Sequence, residues 1–155
     1  MHAVGAVIAV LLSDNAIAGA LEDCAAAYDR KDYAAALQPC LSLAEHGDAR
    51  AQLSLGGMYY NGLGVQQDYA EAAKWTHKAA EQGYTSAQAH LGVLYWNGQG
   101  VQQDVVQAYM WLSLAATHEP GAERERDLAA SQMTPDEIAE AQRLARDWKP
   151  TPPSP

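Results

Sequence analysis

An internal repeat with a period of 36 residues constrains the fold of this chain more than any other feature. Residues 51–80 read AQLSLGGMYYNGLGVQQDYAEAAKWTHKAA, and residues 87–116 read AQAHLGVLYWNGQGVQQDVVQAYMWLSLAA. Sixteen of the 30 aligned positions are identical. A period between roughly 20 and 50 residues is typical of stacked repeats, in which each unit buries its apolar face against its neighbours.

A shorter copy of the repeat precedes these two. Residues 32–36 (DYAAA) align with residues 68–72 (DYAEA) at the same 36-residue step. The turn before them is only Asp29-Arg30-Lys31, where the longer copies have a seven-residue turn. The sequence therefore predicts one short unit and two long ones, at about 19–48, 49–84 and 85–119.

Each unit has the pattern of two antiparallel helices. In the central unit Leu55, Gly56 and Tyr59 share one face of a first helix, and Ala72 and Trp75 share one face of a second. Asn-Gly and a second Gly in each long turn supply the positive φ that a turn needs, and the Asp after each turn can cap the following helix. We expect helix pairs at 21–29/32–46, 49–60/68–82 and 85–96/104–117.

Glycine inside a helix costs about 1 kcal/mol relative to alanine. The repeated Gly56 and Gly92 are therefore predicted to mark points where the partner helix approaches closely. Ala72 and Ala108 are the predicted residues opposite them.

The pattern ends after residue 116, and residues 121–149 are predicted to cap the stack. Thr134-Pro135-Asp136-Glu137 combines an N-cap, a proline in the first turn and a glutamate three residues after the cap. A stack of repeats needs its last apolar surface covered, which these helices would do. Residues 150–155 form a Pro-rich tail that we expect to be disordered or extended.

The repeated pattern A-x-x-x-L-G-x-x-Y-x-x-G-x-G-V-x-x-D-x-x-x-A-x-x-W-x-x-x-A-A resembles the Sel-one-like repeat (SLR), a relative of the tetratricopeptide repeat with a longer loop. The resemblance covers roughly residues 21–116. It implies an all-α, right-handed α-solenoid of antiparallel helix pairs that acts as a protein- or peptide-binding scaffold. Thr76 departs from the pattern, which usually has an aromatic residue there, so we expect looser packing in the middle unit.

The resemblance also implies where a partner would bind, because the flanks of the first helices line the concave groove in tetratricopeptide-like stacks. Tyr60 and Trp96 would be anchors, and two asparagines would hold a peptide backbone. Packing of Tyr60 and Trp96 between adjacent units is an alternative that the sequence leaves open. The predicted groove consists of Leu53, Gly57, Tyr60, Asn61, Ala89, Val93, Trp96 and Asn97.

Residues 1–18 have the layout of a secretory signal peptide. The apolar run at 3–12 is too short to span a bilayer. Ala16-Ile17-Ala18 forms an A-x-A cleavage pattern, and Ala18-Gly19-Ala20 forms a second one. The start lacks Lys and Arg, which leaves open a weak signal, a start upstream of Met1, or a buried first helix. We predict a periplasmic or secreted bacterial protein without stable membrane insertion after cleavage. It would stay cytoplasmic if the segment is not a working signal.

Cys24 and Cys40 flank the short turn near Lys31, at seven and nine residues from it. They should lie roughly level on two antiparallel helices. We predict a disulfide between them in an oxidising compartment. The alternative is a pair of buried thiols.

Composition and motifs narrow the function. The chain has 19 acidic and 10 basic residues and a net charge of −9, which argues against nucleic acid or an anionic membrane as the partner. Its five histidines lack metal-ligand spacing, and no nucleophile motif is present. We predict a protein or peptide partner and no catalytic residue, metal or cofactor. The alternatives are a self-assembling structural subunit and a hydrolase with groove carboxylates.

Overall fold

The computed structural model describes residues 3–153, with side chains from residue 16 onward. The predicted signal peptide and the Pro-rich tail therefore lie partly outside the described residues. Every regular element in the described part is an α-helix. Its eight helices are α1 (Ala3–Asp29), α2 (Tyr33–Glu45), α3 (Ala49–Asn61), α4 (Tyr69–Glu81), α5 (Thr85–Asn97), α6 (Val105–Ala115), α7 (Ala122–Ala130) and α8 (Pro135–Asp147).

The first six helices form pairs in sequence order, as the repeat predicts. Helix α1 packs on α2, α3 on α4 and α5 on α6, and successive pairs meet through α2–α3 and α4–α5. The predicted boundaries of α2 to α6 hold within two residues. Helix α1 differs, because it begins at Ala3 rather than near residue 21. No proline interrupts this alanine-rich stretch, and a helix tolerates the single Gly19.

The loops of the two long units are built by the residues that the sequence singled out. Gly62 and Gly98 end α3 and α5 in the left-handed conformation, with φ of 66° and 65°. Asp68 and Asp104 begin α4 and α6, and each carboxylate accepts hydrogen bonds from two backbone N–H groups of the first turn. Equivalent residues therefore make equivalent turns in both units.

The close approach predicted for the repeated glycines is confirmed. A Cβ on Gly56 would lie 3.3 Å from the carbonyl oxygen of Ala72, and one on Gly92 would lie 3.2 Å from that of Ala108. The two helices of each long unit are therefore in contact at backbone level, so a side chain at either glycine would push them apart.

Helices α7 and α8 cover the end of the stack, and both pack on α6. Helix α8 begins with the predicted capping box: Thr134 Oγ1 accepts from the Glu137 backbone N–H, and the Glu137 carboxylate accepts from the Thr134 N–H. After α8 the ring of Trp148 packs edge-on against Trp111, with centroids 5.9 Å apart. This contact ties the cap to the third unit.

Candidate functional site

A pocket of about 300 Å³ opens between the second and third units. Helices α3 and α5 form its two sides, and α4 contributes its floor. We call it the α3–α5 pocket. Its volume is at the lower end of the roughly 300–1,000 Å³ found for ligand sites, so it suits one large side chain. It is lined by Gly56, Gly57, Tyr60, Asn61, Ala72, Thr76, His90, Val93 and Leu94.

The pocket exists because two of its residues are small. One repeat later, Val93 occupies the position of Gly57, and Leu112 occupies the position of Thr76. The corresponding pocket beside α7 is lined by Val93 and Leu112 and measures about 190 Å³. The looser packing expected at Thr76 therefore takes the form of an open pocket, although Thr76 itself is buried.

Five of the eight predicted groove residues lie at these two pockets. Gly57, Tyr60, Asn61 and Val93 line the α3–α5 pocket. Val93 also lines the second pocket, together with Trp96. The structure thus brings residues of α3 and α5 together across the boundary between two units.

The other three predicted residues lie elsewhere. Leu53 is half-buried and packs against the apolar core shared by the second and third units and the cap. Ala89 packs against a small buried cluster that contains Leu112 and Ala122. Asn97 is exposed and lines neither pocket.

Tyr60 also connects the two units. Its hydroxyl donates a hydrogen bond of 3.0 Å to Gln99 Oε1 in the loop of the third unit. Its ring meets Tyr69 edge-on, with centroids 5.1 Å apart. Tyr60 therefore lines the pocket and also packs between adjacent units, which was the alternative that the sequence left open.

The predicted asparagines have their amide groups engaged. Asn61 Nδ2 donates to the carbonyl oxygen of Gly57 at 2.9 Å, and Asn97 Nδ2 donates to Gln99 Oε1 at 3.3 Å. Both bonds use the amide nitrogen, so the side-chain oxygen of Asn61 can act as an acceptor. A bound peptide would have to supply the N–H group for this contact.

The sequence interpretation missed residues that complete the pocket, among them His90 and Leu94 on α5. The predicted groove used the same flank of every first helix. A pocket between units instead uses one flank of α3 and the facing flank of α5. Thr76 carried a usable signal, because it breaks the repeat pattern at a buried position.

Tyr28 of the first unit lies near the rim of the pocket. Its hydroxyl oxygen is 3.6 Å from the position that a Cβ on Gly57 would take. Burial and then the neighbouring Tyr33 raise the pKa of the Tyr28 phenol above its ordinary value of 10.0. The phenol is therefore neutral at physiological pH and can donate a hydrogen bond.

Two features of the described residues concern metal binding and acid–base chemistry. No group of three or more His, Cys, Asp or Glu side chains is arranged there to hold a metal ion. Burial, Asp104 and Glu81 raise the pKa of Tyr95, which keeps this second phenol protonated as well. Neither shift moves a group towards titration near neutral pH, as a general acid or base would need.

The predicted Cys24–Cys40 disulfide is present, with Cα atoms 5.0 Å apart. It joins α1 to α2 inside the short unit. Cys40 is fully buried and Cys24 almost so. The bridge therefore lies within the core of the unit that has the shortest turn.

Repeated helix pairs, stacked in order and closed by two capping helices, define a helical-repeat solenoid. Residues 49–84 and 85–119 match the family model described as Sel1 repeat. The second and third units of this chain are thus Sel1 repeats, as the sequence pattern predicted. The short unit and the cap lie outside the matched residues.

Two solved structures share this fold. One is c5321, described as a protective antigen present in uropathogenic Escherichia coli strains displaying an SLR fold. It is 31% identical over 83% of this chain, with a TM-score of 0.77. The other is a Sel1 repeat protein from Oxalobacter formigenes, 29% identical over 81% of this chain, with a TM-score of 0.66.

This chain spans 29% of the length of the E. coli protein and 54% of that from O. formigenes. No curated protein matches it. Within residues 3–153, no helix combines the length and the apolar character needed to cross a membrane. Sel1 repeat proteins are in general protein-interaction scaffolds, and this chain has the same repeat fold.

Proposed function

We propose that this protein is an exported adaptor that binds an extended segment of a partner protein across α3 and α5. One large apolar side chain of the segment would enter the α3–α5 pocket, between Tyr60 and Val93. The Asn61 side-chain oxygen would accept a hydrogen bond from the segment's backbone. The observation that carries this proposal is the pocket itself, which is about 300 Å³ beside Gly57 and Thr76 and about 190 Å³ at the corresponding place beside Val93 and Leu112.

Export is part of the same proposal. The signal-like pattern at residues 1–18 is one support, and the buried Cys24–Cys40 bridge is another. Structural disulfides persist in oxidising compartments such as the periplasm or the exterior. N-terminal sequencing of protein purified from its native host tests this part, with a mature chain beginning at Gly19 or Leu21 expected and an intact Met1 contradicting it.

A pocket-filling variant tests the binding site. Peptides selected from a random display library on the wild-type protein should share one large apolar residue. Thr76→Leu copies the residue that the third unit already has at this position, so the fold should accept it. We expect the selected peptides to bind this variant at least about thirtyfold more weakly, the effect of losing about 2 kcal/mol at a hot spot.

Thr117→Leu is the matched control, because it makes the same change at an exposed position in the turn after α6. Its peptide affinity should equal that of the wild type. The double variant Tyr60→Ala/Trp96→Ala should also lose affinity. Unchanged peptide affinity in Thr76→Leu, with an unchanged melting temperature, would contradict the proposed site.

A further inference from the structure

The Pro-rich segment at 149–153 returns along the stack after α8 and is seated on two turns. The Thr151 N–H donates a hydrogen bond of 2.7 Å to the carbonyl oxygen of Glu81 at the end of α4. Pro150 contacts Gly83, and Pro153 contacts Gly47. The segment therefore spans the turn between the second and third units and the turn between the first and second.

These contacts have matching periods. Gly47 and Gly83 are one repeat apart, and Pro150 and Pro153 are three residues apart. A polyproline II helix turns once in three residues and rises about 9 Å in doing so. Three residues, one turn of such a helix, therefore cover the distance between equivalent turns of two successive units and place a proline against each glycine.

Both turns require glycine for their backbone conformation, and the seat itself also requires it at Gly47. Gly47 and Gly83 have φ of 91° and 84°, which other residues rarely adopt. A Cβ on Gly47 would lie 2.5 Å from the Cβ of Pro153, so any side chain there would displace the proline. Beside them lies a cavity of about 130 Å³, whose wall includes Gln52 and Gln82, joined by a hydrogen bond of 2.8 Å.

The segment is preorganised for this seat. Proline fixes its own φ near the polyproline II value, and a residue that precedes proline is pushed towards the same region. Lys149, Thr151 and Pro152 all precede a proline. Thr151 is the residue whose free N–H meets the protein, between two prolines that have none.

We propose that this turn edge, made of Gly47, Glu81 and Gly83, is a docking site for polyproline II segments with P-x-x-P spacing. The segment at 149–153 is its intramolecular ligand. A proline-rich segment of a partner protein occupies the same seat by displacing it. This site is separate from the α3–α5 pocket, and it stands whether or not that pocket binds a peptide.

The test uses the full chain and the capped peptide KPTPP, which copies residues 149–153. Thr151→Pro removes the N–H that meets Glu81 and should release the segment, leaving the seat open. Thr151→Ala is the matched control, because it keeps the N–H. Peptide addition is followed through the backbone amide resonances of Gly47 and Gly83.

We expect KPTPP to shift both resonances in the Thr151→Pro chain. In the wild type and in Thr151→Ala the same shifts should need at least about tenfold more peptide, because the tethered segment competes at high effective concentration. The peptide KPPPP, which lacks the N–H, should produce no shift. No shift with KPTPP in the Thr151→Pro chain, or equal shifts with both peptides, would overturn the docking site.

Hydrogen exchange of the Thr151 amide tests whether the segment at 149–153 binds to its own chain. In the wild-type protein the Thr151 amide should exchange with solvent at least about tenfold more slowly than in the free peptide, since it is hydrogen-bonded. Gly47→Ala should remove that protection. Equal exchange rates in protein and peptide would overturn the intramolecular assignment. Protection that disappears on dilution would overturn it as well, because the segment would then dock on a second copy of the chain.

Discussion

Replacing glycine by alanine should change the free energy of unfolding in opposite directions at two adjacent positions of α3. Gly56 faces α4, and a Cβ there would lie 2.5 Å from Thr76 Oγ1 and 3.3 Å from the Ala72 carbonyl oxygen. Gly57 faces the pocket, and a Cβ there would meet only the Tyr28 hydroxyl at 3.6 Å, an ordinary contact. Alanine therefore fits at one position and not at the other.

The magnitudes follow from two opposing terms. Replacing glycine by alanine inside a helix stabilises it by about 1 kcal/mol. Overpacking a contact costs about 1–3 kcal/mol. Gly57→Ala has only the first term, so the free energy of unfolding should rise by about 1 kcal/mol. Gly56→Ala has both terms, and the free energy should fall by about 1 kcal/mol after the helix gain is subtracted.

Gly92→Ala extends the comparison to the third unit. There a Cβ would lie 2.6 Å from Leu112 Cγ, a branch atom of a fully buried side chain. The threonine beside Gly56 can turn its hydroxyl away, whereas Leu112 Cγ is a branch point that moves only if both methyl groups move with it. Gly92→Ala should therefore destabilise the protein more than Gly56→Ala, by about 2 kcal/mol.

Thermal and urea unfolding of the three variants, measured in parallel with the wild type, provide the assay. For a chain of this size a change of 1 kcal/mol corresponds to a shift of about 2–4 °C in the melting temperature. Gly57→Ala should melt above the wild type, and Gly92→Ala should melt lowest. Three shifts of the same sign would refute the assignment of Gly56 and Gly92 as contacts between helices.

Three further outcomes follow from the structure. Replacing Cys24 and Cys40 together by alanine should lower the free energy of unfolding by about 3 kcal/mol, measured in urea, because the bridge closes a loop with a sequence separation of 16. Leu91→Ala empties a fully buried position and should cost about 2–5 kcal/mol in the same assay; a smaller loss would mean that the site collapses. Thr134→Ala removes the capping box and should cost about 1 kcal/mol, seen as faster amide exchange in α8 with little change in α3.

The sequence was sufficient for features that depend on local pattern or on the repeat period. The helix pairs, the aspartate caps and the Thr134 capping box are encoded within a few residues. The Cys24–Cys40 pairing follows from two positions on one antiparallel hairpin. In each of these the physical cause lies inside a single unit, where counting residues is enough.

The candidate sites depend on contacts between units, which counting residues does not supply. The α3–α5 pocket needs the facing flanks of two helices and the volumes of Gly57 and Thr76 relative to their counterparts. The seat of the Pro-rich segment needs the path of the chain after α8. Its glycines and prolines are visible in the sequence, but no local sequence pattern indicates that the prolines pack on the glycines.

The Pro-rich segment also bears on the order in which the structure forms. The helices pack mainly on their neighbours in the chain, so the stack has low contact order and can grow from any helix pair. The contact between Pro153 and Gly47 differs from these local contacts, because about 100 residues separate the two in the chain. That loop closes only when every unit between them is in place. Slowed exchange of the Thr151 amide would therefore be among the last native signals to appear during refolding, and its arrival would mark completion of the second and third units and of the cap.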